Sequence, residues 1–116
     1  MIKRSLARCN KFDIGIEDHG LLVLYGHFEY EDGEAQGLGY CIDSAFLYRF
    51  LGVFNVQRLQ DINGRSCWVT HTHSDISLVE PLHAKDGTPF ILGDWQEFSK
   101  QHPQPSPYEQ RTGRKP

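Results

Sequence analysis

The sequence has few of the features that announce a compartment or a chemistry. Cysteine occurs three times in 116 residues, at positions 9, 41 and 67, with no CxxC pair. An odd count at wide spacing predicts free thiols in a reducing compartment rather than a disulfide framework. Cys41 and Cys67 fall inside apolar strand patterns, where a thiol behaves as a small hydrophobe. Long apolar runs are also missing: the longest covers residues 21–25, far below the ~20 residues that cross a bilayer. Behind the early charges of Lys3 and Arg4, Arg8 and Asn10 interrupt any apolar stretch, which predicts no secretory signal. A soluble, cytoplasmic protein without a membrane partner is therefore expected. A charge surplus is absent as well, with 12 basic against 15 acidic side chains and a formal net charge of −3. Nothing there draws the chain onto nucleic acid or anionic lipid. Lysine and arginine do not occur between Lys11 and Arg49, where an RNA-binding sheet would interleave them with aromatics.

What is present is strand and turn punctuation. Phe12, Ile14 and Ile16 alternate within residues 8–17, the period of a half-buried strand. Asp18-His19-Gly20 predicts a turn, and residues 21–31 a long second strand with Leu22, Leu24, Phe28 and Tyr30 on one face. Asp32-Gly33 predicts a hairpin, and residues 36–42 a third strand. The latter carries Leu38, Tyr40 and Ile42 on one face and Gly37, Gly39 and Cys41 on the other. Two glycines on one face leave room for a close approach, by the next helix or by another backbone. That helix is expected to start at Asp43-Ser44, either of which can cap it. It carries Phe46, Leu47, Phe50 and Leu51 as an apolar stripe and ends at Gly52.

Val56 and Leu59 suit a short helical turn, and Asn63-Gly64 a chain reversal. Residues 65–71 and 76–80 then predict two short strands around a link, Thr72-His73-Ser74-Asp75. Asp86-Gly87 turns the chain before Phe90-Ile91-Leu92, and Asp94 with Glu97 forms a capping box opening a short helix. The class expected is α+β: an antiparallel sheet, made of a three-strand meander and a later short hairpin, packed on one main helix with a short C-terminal helix. Residues 1–101 form the single domain. Residues 102–116, with three prolines in the first stretch and no apolar periodicity, are expected to be a flexible tail. That tail holds Arg111, Arg114 and Lys115 against Glu109, so residues 1–101 carry a formal charge of about −5.

Two segments could carry chemistry. His71, His73 and Asp75 in an HxHxD pattern after an apolar strand resemble the first metal motif of the metallo-β-lactamase fold. In that motif histidines bind zinc and the carboxylate holds a second metal or activates water. The family's next histidine is replaced here by Ile76, and the glycine-bearing helix that follows the motif has no counterpart. Metal binding or metal-dependent hydrolysis, with zinc as cofactor, is one alternative; a hairpin turn with solvated histidines is the other. A nucleophilic pair drawn from Cys41 or Cys67 with His27 or His71 would need an exposed low-pKa thiol, and both cysteines are expected to be buried. The second segment is the run Glu29, Glu31, Asp32 and Glu34 around the Asp32-Gly33 hairpin tip. It is either a solvated turn or an acidic projection complementary to a basic partner.

Glu17-Asp18-His19-Gly20-Leu21, Gln36-Gly37-Leu38-Gly39-Tyr40 and Gly64-Arg65-Ser66-Cys67-Trp68-Val69 together resemble a family of small proteins encoded by bacteriophages and prophages. The resemblance spans about residues 13–98 and implies a mobile-element origin in a bacterial host. Some phage proteins of this size inhibit host defence systems, anti-CRISPR proteins among them, by occupying a protein surface; that analogy transfers no residues. A non-enzymatic accessory protein that binds a protein partner is thus expected, with Tyr30, Glu31, Asp32 and Glu34 as contact residues. A homodimeric structural protein, joined through edge strands or the glycine face, is a further alternative.

Overall fold

The computed structural model describes residues 1–18, 20–101 and 107–114. His19, at the centre of the expected first turn, lies outside the described residues. Six antiparallel strands form one sheet: β1 (Lys3–Ile16), β2 (Leu22–Tyr30), β3 (Ala35–Cys41), β4 (Ser66–His71), β5 (Ile76–Pro81) and β6 (Phe90–Ile91). Their order is β3-β2-β1-β4-β5-β6. The meander and the later hairpin are both present, and β6 extends the second hairpin by a short edge strand. Helices α1 (Ser44–Phe54), α2 (Leu92–Gln101) and α3 (Pro107–Thr112) complete the described elements, with two single 3₁₀ turns at Leu59–Ile62 and Ala84–Asp86. Among the described residues no helix is long and apolar enough to cross a membrane.

The spine is β1, which starts five residues earlier than the alternation predicts. Its first half pairs with β4, from Lys3 opposite His71 to Arg8 opposite Ser66, while residues from Ala7 onward pair with β2. The early half was illegible because its inward positions, Ser5, Ala7 and Cys9, are small rather than strongly apolar. Between Asn10 and Asp13 the register slips by one residue, with Lys11 at φ +57°. This bulge turns Phe12 inward, where its ring lies so close over Gly26 that a Cβ there would run into it. Asn63 holds the bulge: its side-chain oxygen accepts the Phe12 N–H (2.7 Å) and its amide donates to the Phe12 carbonyl (3.1 Å).

One face of the sheet packs on α1 and α2. Asp43 caps α1 by accepting the Phe46 N–H (3.0 Å), and Phe46, Phe50, Val53 and Phe54 are buried. The helix does not stop at Gly52 but runs to Phe54, and Asn55 supplies the left-handed residue at its end. Gly52 stays helical because a returning loop seals this end: the Thr88 N–H donates to the Gly52 carbonyl (2.9 Å). Gly87 passes where a side chain would collide with the Val53 carbonyl. Helix α2 likewise begins at Leu92 rather than at the Asp94 capping box. Leu92 and Trp95, three apart, both face the core and pull the first turn forward. Trp95 meets the Phe46 ring edge-on at 5.1 Å.

Within the segment expected to be unstructured, residues 107–112 form a helix; residues 102–106 and 115–116 lie outside the described residues. The signals are local: Pro107 is suited to a first helical position, and Gly113 (φ +71°) closes the helix by donating to the Glu109 carbonyl (2.7 Å).

Candidate functional site: an acidic hairpin beside an open edge strand

The hairpin between β2 and β3 is held by its backbone. The Tyr30 N–H donates to the Glu34 carbonyl (2.8 Å), the Gly33 N–H to the Tyr30 carbonyl (3.0 Å), and the Glu31 N–H to the Leu6 carbonyl of β1 (3.2 Å). Gly33 takes φ +89°, which glycine adopts without strain. The Asp32 carboxylate accepts the Glu34 N–H (2.9 Å). Glu29, Glu31, Asp32 and Glu34 are all exposed. Among the described residues the one ion pair is Arg4–Glu80 (3.2 Å), so the hairpin carboxylates stand without a bridging cation.

Tyr30 does not share that exposure. It is 6% exposed and belongs to the core, because its even position on β2 places it on the inner face with Leu24 and Phe28. Its ring stacks on His71 at 4.2 Å and 9°, and its hydroxyl donates to the Gln36 side-chain oxygen (2.7 Å). Burial, foremost, pushes the Tyr30 hydroxyl above its ordinary pKa, with the neighbouring Cys67 and Asp32 acting in the same direction.

His71 is also buried. Its Nε2 lies 2.9 Å from the Ser5 hydroxyl and its Nδ1 3.3 Å from the Thr72 carbonyl. A carbonyl only accepts, so the tautomer protonated at Nδ1 satisfies both contacts, with Ser5 donating to Nε2. His73 and Asp75, by contrast, are exposed on a tight turn in which the Thr72 N–H donates to the Asp75 carbonyl (2.8 Å) and the Asp75 N–H to the Thr72 hydroxyl (3.1 Å). The three residues of the HxHxD segment therefore do not converge. Among the described residues no three His, Cys, Asp or Glu side chains gather as a ligand set. The reason is alternation: His71 shares the inner face of β4 with Cys67 and Val69, and the strand ends there as the following residues turn out.

Cys67 is buried 3.9 Å from the sulfur of Cys9, on the neighbouring strand. The contact with the Cys67 thiol, followed by burial, pushes the Cys9 thiol well above its ordinary pKa, the reverse of what a nucleophile needs. The side chain of Cys41 lies outside the described residues.

Beside the hairpin opens a cleft of about 490 Å³, bordered by Lys3, Tyr30, Glu34, Gln36, His71 and His73. A narrower slot of about 160 Å³ continues along β3 from Gln36 to Tyr40, with Ser74, Asp75 and Ile76 as its far wall. The two meet at Gln36, whose amide donates to the Thr72 carbonyl (3.4 Å). In the strand order, β3 is separated from β4 by two strands. This bond therefore requires a sheet curled until its β3 edge faces the β4–β5 link. Ser5, Tyr30, Gln36 and His71 thus form one polar row across four strands. Sequence reasoning missed it because the partners are up to 66 residues apart and no local pattern joins them.

The chain matches no protein-family model, no curated protein and no solved structure.

Proposed function

We propose that this protein works by protein–protein contact and presents its acidic hairpin to a cationic surface of a partner. One observation carries this reading. Four carboxylates, on Glu29, Glu31, Asp32 and Glu34, are exposed on a hairpin tied to the central strand, without a bridging cation among the described residues. Like charges held together on a surface cost self-repulsion, which a complementary partner relieves while also gaining association rate. The resemblance to phage-encoded proteins suggests the setting, a bacterial host protein as target, with a host-defence complex as the kind of assembly concerned.

The test is cross-linked capture from host lysate with the wild type and with Glu31→Lys combined with Glu34→Lys. A partner retained by the wild type and reduced about tenfold or more by the double variant, at unchanged melting temperature, is expected; that loss corresponds to about 1.4 kcal/mol. Equal recovery by both removes the hairpin from the function.

A further inference from the structure

We propose that β3 is an open docking edge that takes up an extended, cationic segment of a partner protein as a seventh strand. The proposal deepens the acidic-hairpin reading and rests on it for the charge of the occupant. Among the described residues β3 ends the sheet, with β2 as its one neighbouring strand. The hydrogen bonds at its two ends fix which residues face outward. The Tyr30 N–H donates to the Glu34 carbonyl and the Ile42 N–H to the Leu22 carbonyl (3.3 Å), with unbroken register between them. Bonded and non-bonded pairs alternate in an antiparallel ladder. The even-numbered residues from Gln36 to Tyr40 therefore bond to β2, while Ala35, Gly37, Gly39 and Cys41 aim their N–H and C=O groups away from the sheet.

Sheet edges are ordinarily blunted by charge, proline or shortness. The opposite edge follows that rule: β6 has two residues and follows Pro89. β3 does not, since its seven residues, Ala-Gln-Gly-Leu-Gly-Tyr-Cys, include neither a charge nor a proline. The packed helix does not account for the two glycines. A Cβ on Gly39 would meet nothing within 4 Å, and one on Gly37 nothing closer than 3.8 Å. The bare positions at Gly37 and Gly39 put no side chain of their own between the outward backbone groups and another backbone.

An added strand needs space for alternate side chains on both faces, and β3 has it. On the inner side lies the slot facing residues 74–76; on the outer side a shallow cleft of about 480 Å³ runs over Gly37 and Gly39, between Lys11, Tyr25 and His27. Charge selects the occupant. Glu31, Asp32 and Glu34 stand at one end of the edge and Asp75 along it, against Lys3 and Lys11. A cationic segment complements that border, whereas a second copy of a chain with net charge −3 brings the same sign.

The experiment uses the full chain, ¹⁵N-labelled, with three octapeptides: alternating lysine and valine, the same peptide N-methylated at alternate residues, and alternating glutamate and valine. Saturable binding of the lysine–valine peptide is expected, with amide shifts and slowed hydrogen exchange at Ala35, Gly37, Gly39 and Cys41. Alternate N-methylation should weaken binding about tenfold or more, as the loss of two or more backbone hydrogen bonds implies. Equal binding of the methylated and unmethylated peptides, or four unaffected amides at millimolar peptide, overturns the docking edge and leaves the hairpin reading standing. Equal binding of the glutamate peptide overturns the cationic occupant and the hairpin reading with it. A dimer of the free chain that itself protects those four amides makes a second copy the occupant and also overturns the proposal.

Discussion

Gly26 and Gly39 lie on adjacent strands of one hairpin under opposite constraints. A side chain at Gly26 would enter the Phe12 ring, whereas one at Gly39 meets open space. Gly26→Ala is accordingly expected to destabilise by about 1–3 kcal/mol, the cost of overpacking a filled core. Gly39→Ala should stay within about 0.5 kcal/mol of the wild type. Urea unfolding of the two variants checks the contrast, and equal effects would mean that Phe12 yields without cost. Alternation alone separates Tyr30 from its neighbours, since it shares a face with Leu24 and Phe28. Its position beside three carboxylates suggests the contrary, and the period of 2 prevails because β2 is covered on one side.

At the level of elements, the bulge in β1 is held from outside its own strand. Asn63-Gly64 reads as a turn, and the Gly64 N–H does donate to the Cys9 carbonyl (2.8 Å). What the dipeptide does not disclose is that the Asn63 side chain satisfies both backbone groups of Phe12. Asn63→Ala leaves those groups without that partner and should cost about 1–3 kcal/mol, with faster amide exchange at Phe12. A variant with wild-type stability and unchanged exchange would show that the bulge holds itself. The helix boundaries teach the same lesson. Gly52 is a reasonable stop and Asp94 a reasonable start, yet α1 continues and α2 begins early because a returning loop and two buried side chains outweigh these local preferences, worth about 1 kcal/mol each.

Across the whole molecule, two buried acids among the described residues, Cys9 and Tyr30, are displaced upward from their ordinary pKa. The unfolded chain ionises them near 9.0 and 10.0, while the folded chain keeps their protons to higher pH. Below about pH 8 both states hold these protons and stability does not depend on them. As pH rises past 9 the unfolded state binds fewer protons, so stability falls, by up to about 1.4 kcal/mol per pH unit for each group. Denaturant midpoints measured from pH 7 to 11 should decline only in the upper half, and Cys9→Ala should flatten the decline between pH 9 and 10. A slope unchanged by that substitution would remove the thiol from the account.

By itself the sequence determined the α+β class, the meander, the later hairpin, the main helix and the acidic tip, because each is written in neighbouring residues: alternation of 2, an apolar stripe of 3.6, a capping aspartate, a glycine at a turn. It also determined that HxHxD precedes a strand, but not that His71 turns inward to Ser5 and Tyr30 while His73 and Asp75 face solvent. Only the tertiary structure decided that, along with the pairing of Cys9 and Cys67, the clamp on Phe12 and the free edge of β3. Each joins residues far apart in the chain. Their meeting depends on which strands become neighbours and how far the sheet curls, and that is set by burial of the whole core rather than by any local pattern.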